Sequence, residues 1–229
     1  MHRVEIYIIS KEEGANLTKF DILGEYNNER DQLISGFLLA LNNFAKEVGF
    51  PAGVSLIRSG SLEARYSVGK YIFTVLIIDY SMPLGMMTEP VLSGLAQEIT
   101  ERFEKMYAVE LEEGAKKKIY KSSTFSEFND EIQKIIEKYM AETFELYQKL
   151  ILIEAMYHKV PKKYCLPLLE KAADKENIIP ELGEIPKRYQ SLLDDAIRKV
   201  HTSAAPVWEI FQVPTVDYQP YNVEENEGE

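Results

Sequence analysis

The segment that comes closest to a ligand-binding motif is Ser67-Val-Gly-Lys70, which ends in the Gly-Lys pair of a phosphate-binding loop. That loop also requires a glycine five residues before its second glycine and a hydroxyl residue directly after the lysine. This chain has Ala64 and Tyr71 at those two positions. Gly69-Lys70 is therefore predicted to form a hairpin turn, and no cofactor is predicted for this chain.

The histidines and the single cysteine are spaced too widely to form a local metal-binding motif. His2, His158 and His201 are far apart, and none stands at ligand spacing from Cys165. We interpret the histidines as scattered surface or helix-end residues, with a cluster formed in the folded protein as the alternative. Cys165 is predicted to be a buried structural thiol, because no base or electropositive partner stands near it in the sequence. No metal site is predicted.

Pairs of adjacent acidic residues are the remaining candidates for metal binding or acid–base chemistry. The pairs are Glu12-Glu13, Glu112-Glu113 and Asp194-Asp195. Neighbouring side chains on a helix or turn usually point apart, so we interpret these pairs as solvated faces. The sequence therefore predicts no catalytic residue, and we expect the protein not to be an enzyme.

One short stretch of the chain is strongly basic and could contact an anionic surface. Each basic residue close to an anionic lipid surface contributes about 1 kcal/mol to binding. Contact with a membrane or an acidic partner is therefore one interpretation, and a solvated linker and helix face is the other. The residues of this basic cluster are Lys116, Lys117, Lys118 and Lys121.

The overall charge and composition exclude several classes of protein. The 229 residues include 26 basic and 37 acidic side chains, which give a net charge of -11. Non-specific nucleic-acid binding needs a cationic surface, so this charge argues against it. A single cysteine favours a reducing compartment. The apolar runs are shorter than the ~18–20 residues that span a bilayer, and the first residues do not read as a signal peptide. We expect a cytoplasmic protein with at most peripheral membrane contact.

Alternation of apolar and polar residues predicts five β-strands. The first two, Val4–Ile9 and Thr18–Leu23, are predicted to pair as a hairpin. Short glycine-containing turns separate three further strands, at Gly53–Ser59, Leu62–Val68 and Tyr71–Tyr80. The last of these has no polar face, which predicts a place at the centre of the sheet with helices on both sides.

Apolar residues at helical spacing predict the other elements. The helix over 122–158 is longer than one domain requires, at roughly 50 Å for 1.5 Å per residue, so its second half is expected to serve the C-terminal region. The apolar segment Ala205–Pro214 is bracketed by prolines and is interpreted as a docked arm or an edge strand. The predicted helices are Leu33–Val48, Pro90–Gly114, 122–158, Tyr164–Ala173 and Pro186–Val200.

The element order through residue 158 is strand, strand, helix, three strands, helix and helix. This order resembles the longin domain and is similar to the related roadblock domains. The segments Leu33–Glu47 and Gly69–Asp79 also resemble those families in their pattern of apolar and polar residues. The resemblance implies an α+β fold, with a five-stranded antiparallel sheet flanked by helices and followed by a mainly helical C-terminal region. It predicts a longin-like domain at 1–158, a helical extension at 159–221 and a disordered acidic tail at 222–229.

The resemblance also implies a function. Longin and roadblock proteins scaffold complexes, bind small Ras-like GTPases, often as dimers, or regulate membrane traffic, which implies a non-catalytic adaptor or regulator. Its partner would be a small Ras-like GTPase or another longin or roadblock protein, and a homodimer is also considered. The alternatives are a structural subunit of a coat or tether complex without GTPase contact, and a small-molecule-sensing domain.

The interface for such a partner is expected at an open strand edge and the first helix. Edge strands carry unpaired backbone groups that accept another strand, which makes either Thr18–Leu23 or Gly53–Ser59 a candidate edge. The predicted partner-binding residues are Val54, Leu56, Ile57, Leu33 and Phe37.

Overall fold

A computed structural model of the chain describes residues 3–21, 28–60, 62–79 and 88–210. The contacts divide the chain into two compact units, the first running through Ala141 and the second covering Glu142–Trp208. The division falls inside a long helix. The domain boundaries expected from the sequence, at residues 158 and 221, remain predictions.

The first unit is built on a five-stranded antiparallel sheet. The strands lie in the order β2-β1-β5-β4-β3, and every neighbouring pair is antiparallel. This arrangement, together with the helices described below, confirms the predicted α+β class. The strands are β1 (Arg3–Ser10), β2 (Asn16–Asp21), β3 (Leu56–Ser59), β4 (Leu62–Val68) and β5 (Ile72–Asp79).

The centre of the sheet is β5, as its sequence predicts. Phe73 and Val75 are fully buried on one face of the sheet, and Leu76 and Ile78 are fully buried as well. A strand that is covered on both faces carries apolar residues at successive positions, without alternating apolar and polar ones. Gly69 follows β4 at the turn into β5, where its N–H donates to the carbonyl of Ile72 at 2.9 Å, so the Gly-Lys pair belongs to a hairpin.

Helices cover both faces of the sheet in the first unit. Helix α1 (Asn28–Glu47) packs on the face that carries Tyr7 and Phe73. Helix α2 (Thr88–Met106) covers the other face, where the Thr100 hydroxyl donates to the Thr74 hydroxyl at 2.8 Å.

Two further helices follow α2 in the chain. They are α3 (Ala108–Lys117) and the long α4 (Phe128–Tyr157), and a 3-10 turn, Ser122–Phe125, precedes α4. The start of α4 is close to β2, since the Thr18 hydroxyl donates to Oδ1 of Asn129 at 3.1 Å.

The single helix predicted from Pro90 to Gly114 is two helices, so that prediction was wrong. The break falls at Tyr107, whose backbone has φ -115° and ψ 30°, outside helical values. The Tyr107 ring packs against Phe103, Phe125 and Phe128, with ring centroids 5.0 to 6.1 Å apart. This aromatic cluster brings together residues that are distant in sequence, and apolar periodicity alone gives no sign of it.

The second unit is entirely helical within its described residues. It contains the second half of α4, then α5 (Lys162–Ala173), α6 (Ile179–Leu182) and α7 (Gln190–Ile210) as far as Trp208. The buried side chain of Gln148 orders the segment before α6: its Oε1 accepts from the N–H of Ile178 at 2.7 Å, and its Nε2 donates to the carbonyl of Glu176 at 3.1 Å.

The interpretation of Ala205–Pro214 as an arm or edge strand was wrong for residues 205–210, which continue α7. A proline inside a helix removes one backbone hydrogen bond without always ending the helix. The helix α7 continues across Pro206, and α5 contains Pro167 in the same way. Other predictions lie outside the described residues: the end of the second strand at 22–23, the segment 211–214 and the tail 222–229.

Candidate partner-binding surface

Helix α1 carries a row of exposed apolar side chains on the side away from the sheet. Five residues spaced by three or four positions form this row, which we call the apolar seam: Leu33, Phe37, Ala40 and Phe44 of α1, and Val48, which directly follows the helix. Leu33 is 76% exposed, Phe37 62%, Phe44 61% and Val48 53%. Large apolar side chains at this spacing normally face a core or another helix.

The opposite face of α1 is also apolar and explains how the helix is held. Leu38 is buried and Ile34 and Leu39 are half-buried against Tyr7, Ile9 and other apolar residues of the sheet. The helix therefore has two apolar faces, one used by the sheet and one exposed. A helix that only covers a sheet needs a single apolar stripe.

The N-terminal half of α1 is fixed to the sheet by a buried group of charges. Nζ of Lys19 lies 2.8 Å from Oε1 of Glu5 and 3.0 Å from Oδ1 of Asp31. The hydroxyl of Tyr7 donates to the same two carboxylates, at 3.2 and 3.1 Å. Asp21 is 3.8 Å from the same lysine. All five side chains are almost fully buried, so these contacts set the position of α1 on β1 and β2.

Burial and the neighbouring carboxylates shift the titration of this group. Burial alone lowers the pKa of Lys19, but hydrogen bonds to Glu5 and Asp31 outweigh it and raise the pKa above its ordinary value. Burial and the same two carboxylates raise the pKa of Tyr7 strongly. Both side chains therefore keep their protons at neutral pH, and the lysine remains the cation that the carboxylates require.

The edge strand β3 lies beside the C-terminal half of α1. Oδ1 of Asn42 accepts from the N–H of Val54 at 3.1 Å, which ties the segment before β3 to the helix. Gly53 allows this approach, with φ +75° and no room for a Cβ next to Asn42. Among the residues that the structure describes, strand β3 pairs only with β4 and is the last strand on this side of the sheet. Helix α1 and the edge strand β3 are thus connected, and we call the apolar seam together with the outer edge of β3 the α1–β3 face.

The five predicted partner-binding residues separate into three groups. Leu33 and Phe37 are largely exposed on α1. Val54 and Ile57 are half-buried and pack against the apolar cluster beneath α1. Leu56, which is 37% exposed, lines a groove on the opposite face of the sheet, beside α2. Only two of the five side chains therefore lie on the exposed side of α1.

Sequence reasoning did not single out Phe44, Val48 and Phe50, which are all more than half exposed. The apolar positions of α1 merge into one broad helical pattern, so the outward residues were read as part of the inward face. The absence of charge could have revealed the outward apolar face: the segment from Gln32 to Ala45 contains no charged residue. An exposed helix in a chain with 28% charged residues would normally carry some.

The basic cluster is partly neutralised by its own helix. Nζ of Lys116 lies 2.7 Å from Glu112, and Nζ of Lys117 lies 2.8 Å from Glu113. Lys118 forms the left-handed C-cap of α3, and Lys121 precedes the 3-10 turn. Both carboxylates of the Glu112-Glu113 pair are largely exposed, and each is bonded to a lysine one turn away, so two of the four lysines of the cluster are ion-paired. Contact of the cluster with a membrane or an acidic partner remains a prediction.

A polar groove of about 420 Å³ lies between β4 and α2, on the face opposite α1. The buried Arg65 lines it and donates from Nη1 to the Ser93 hydroxyl at 3.3 Å. Its Nε donates to Glu63, which also accepts from Arg58. Ser67, Gln97 and Glu104 are among the other lining residues. The groove is wide enough for a small polar molecule.

Of the histidines and the cysteine considered for chemistry, His2 lies outside the described residues, and the other three are in separate places. Cys165 is fully buried in α5, and burial raises the pKa of its thiol. His158 follows the end of α4 and lies 3.3 Å from Glu154, while His201 is in α7. Among the described residues, no three His, Cys, Asp or Glu side chains are grouped as a metal site. No described helix is both long and apolar enough to cross a membrane.

Comparison of the chain with models of protein families, with curated proteins and with solved structures found no match. The resemblance to longin and roadblock domains therefore rests on the order of strands and helices and on the pattern of apolar and polar residues.

Proposed function

We propose that this chain is a non-catalytic adaptor that binds a partner protein through the α1–β3 face. The partner implied by the resemblance is a small Ras-like GTPase or another longin or roadblock subunit, in a membrane-trafficking-like system of the cytoplasm. The observation that carries the proposal is the apolar seam of α1 beside the open edge of β3.

Both parts of this face favour binding to protein. Soluble monomers rarely expose a contiguous apolar patch larger than a few hundred Å², and larger patches commonly mark interaction sites. An unpaired strand edge supplies backbone donors and acceptors that a partner strand satisfies. A partner that packs a helix on α1 and a strand or loop on β3 would cover both.

The proposal is tested with purified Ras-like GTPases from the same organism, each loaded with GDP or a GTP analogue, and with purified longin-type subunits, each mixed with the immobilised protein. We expect at least one GTPase or longin-type subunit to bind, and the substitution Phe37→Asp to abolish that binding. Val109→Asp is the matched control, because Val109 is an equally exposed apolar residue, at 67%, on α3. Binding that survives Phe37→Asp, or no binding partner at all, would contradict the proposal.

A structural subunit of a coat or tether without GTPase contact is the nearest alternative. It would use the same face, so the seam does not separate the two functions. Native mass measurement of the tagged protein from its own cells does: a stable large assembly, unchanged by added GDP or GTP analogue, favours the structural subunit.

A small-molecule sensor is a second candidate, and the groove beside Arg65 is the observation that favours it. Gln97 lies at the groove and donates to Glu101 on the next turn. A thermal-shift screen with small polar metabolites should give a ligand whose effect disappears in Gln97→Trp. Gln133→Trp is the control, since Gln133 makes the same exposed bond to Glu137 on α4.

A further inference from the structure

A short sequence pattern occurs twice in the second unit and folds in the same way both times. The two copies are Val160-Pro-Lys-Lys-Tyr164 and Ile185-Pro-Lys-Arg-Tyr189. In each copy the first residue is buried and the proline is extended, with φ -62° and ψ 134° in the first and φ -52° and ψ 136° in the second. The tyrosine N–H then donates to the proline carbonyl, at 3.0 and 2.8 Å. These turns lead into α5 and α7, and we call Pro161–Tyr164 and Pro186–Tyr189 the paired turns.

The paired turns lie next to each other in the folded unit. The ring centroids of Tyr164 and Tyr189 are 5.8 Å apart. Each ring also contacts the basic residue that precedes it: Nζ of Lys163 lies 4.9 Å from the first ring centroid, and Cζ of Arg188 lies 4.9 Å from the second. Two segments that are distant in sequence therefore bring their basic residues to one surface.

This surface is cationic, although the protein as a whole is acidic. The paired turns contain four exposed cations that form no ion pair with any described residue: Lys162, Lys163, Lys187 and Arg188. The ion pairs described in this unit use other basic residues, which are Lys149, His158, Lys171, Arg198 and Lys199. The sequence beside the turns adds no counter-charge, because 155–169 and 185–193 contain no acidic residue. Without these four cations the net charge of -11 would be -15.

The positions of the four cations are unfavourable for the fold unless an anion is bound. The start of a helix carries a partial positive charge, which favours acidic residues and disfavours basic ones. Neither α5 nor α7 has an acidic residue in its first turn. Lys162 and Lys163 instead begin α5, and Lys187 and Arg188 lie directly before α7. The four like charges also repel one another. An anion bound at the paired turns would relieve both effects.

The rest of the protein restricts which anion fits. A long polyanion such as a nucleic acid, or an anionic membrane, extends beyond the paired turns and is repelled by the acidic remainder of the chain. A compact anion contacts the turns alone. Phosphate groups suit these side chains, because arginine can bind two phosphate oxygens side by side and lysine binds phosphate as a point charge. Two turns with two cations each therefore match two phosphate groups of one molecule.

We propose that the paired turns bind one compact, soluble molecule that carries two or more phosphate groups. The first turn holds one phosphate group with Lys162 and Lys163, and the second turn holds another with Lys187 and Arg188. The inference goes beyond the proposed function, because the paired turns belong to the second unit and the α1–β3 face belongs to the first. Either proposal can therefore fail while the other stands.

The test uses inositol hexakisphosphate, a compact molecule with a phosphate on every ring carbon, titrated into the full-length protein by calorimetry. We expect one molecule to bind per chain, with a dissociation constant on the order of 10 μM at about 0.15 M salt. One variant combines Lys162→Gln with Lys163→Gln, and a second combines Lys187→Gln with Arg188→Gln. Each should raise the dissociation constant about tenfold or more, because each removes the cations that hold one phosphate group.

The matched control combines Lys105→Gln with Lys121→Gln, which removes the same charge at two exposed positions of the first unit. It should leave the dissociation constant within about twofold of the wild-type value, because the loss of net charge alone has only a small effect. Urea unfolding shows whether the variants are folded. The two turn variants should have unchanged or higher midpoints, since they remove cations from the starts of helices.

Several outcomes would overturn the inference. They are no binding at about 1 mM inositol hexakisphosphate, two molecules bound per chain, and equal affinity in the wild type and either turn variant. Vesicles that contain phosphatidylinositol bisphosphate and a single-stranded oligonucleotide are titrated in parallel. If either binds through the paired turns more tightly than inositol hexakisphosphate, the ligand is a membrane or a nucleic acid and the proposal of a compact soluble ligand is wrong.

Discussion

Lys19 is a buried cation among three carboxylates, and its removal should strongly destabilise the first unit. Lys19→Met leaves Glu5 and Asp31 buried without the lysine that holds them at 2.8 and 3.0 Å. Breaking a buried ion pair from one side costs about 3–5 kcal/mol, so we expect a loss of that size in the free energy of unfolding measured with urea. Lys117→Met, which breaks an exposed pair with Glu113, is the control and should have no measurable effect. An equally small effect for Lys19→Met would show that the buried group does not hold α1.

Cys165 is fully buried in α5, and burial raises the pKa of its thiol above the ordinary value of 9.0. The reactive species is the thiolate, so the folded protein should react with a thiol reagent such as DTNB about a hundredfold more slowly than the unfolded protein. The difference should persist at pH 9, since the thiol is buried and its pKa is raised. Val109→Cys should add one rapidly reacting thiol. Rapid reaction of the native wild-type protein would show that Cys165 is accessible.

Side-chain burial was the part of the site that sequence patterns predicted least well. The first helix and the edge strand were both identified, and Leu33 and Phe37 do lie on the exposed face. Val54 and Ile57 were also expected to contact a partner, yet they pack beneath α1. A helical pattern gives the spacing of apolar residues but not which of two apolar faces meets the sheet. That choice depends on contacts with residues far away in sequence, such as the Tyr7–Asp31 hydrogen bond at 3.1 Å.

The connection between α1 and β3 depends on one glycine. Gly53 and Gly60 both have positive φ, +75° and +61°, so an alanine at either position costs about 1 kcal/mol in backbone strain. Only at Gly53 would the new Cβ meet Oδ1 of Asn42, at 2.1 Å. Gly53→Ala should therefore also break the Asn42–Val54 hydrogen bond. We expect this to lower the free energy of unfolding, measured with urea, by about 1–2 kcal/mol more.

The matched variant Gly60→Ala isolates the effect of Asn42, because nothing lies within 4 Å of a Cβ at that position. In an Asn42→Ala background, Gly53→Ala should cost no more than Gly60→Ala does. Equal costs for the two glycines in the wild-type background would mean that the Asn42 contact does not stabilise the α1–β3 connection.

Elements bounded by local signals were predicted closely, and elements shaped by distant contacts were not. The predicted strand Leu62–Val68 matches β4 residue for residue, because Gly60 and Gly69 mark its ends. The break between α2 and α3 was missed because it depends on the packing of Tyr107 against Phe125 and Phe128. The continuation of α7 past Pro206 was missed because the proline was taken as a boundary.

At the scale of the whole molecule, charge and the apolar seam act in opposite directions on self-association. Each copy carries a net charge of -11, whereas Gln32–Ala45 carries no charge. The repulsion is therefore long-range, and the attraction is short-range and apolar. Added salt screens the long-range repulsion, because the Debye length falls from about 30 Å at about 0.01 M to about 8 Å at about 0.15 M.

Self-association through the apolar seam is expected to become stronger as salt is added over this range. We expect the dissociation constant measured by sedimentation equilibrium to fall about tenfold between these ionic strengths, because the repulsion between the two acidic copies is screened. Phe37→Leu, which keeps the seam apolar, should show the same salt dependence from a weaker starting affinity. An interface held by ion pairs, for example between the basic cluster at Lys116–Lys121 and an acidic surface of the second copy, would weaken with salt instead. Salt-induced dissociation would therefore place the contact between copies at charged residues and away from α1.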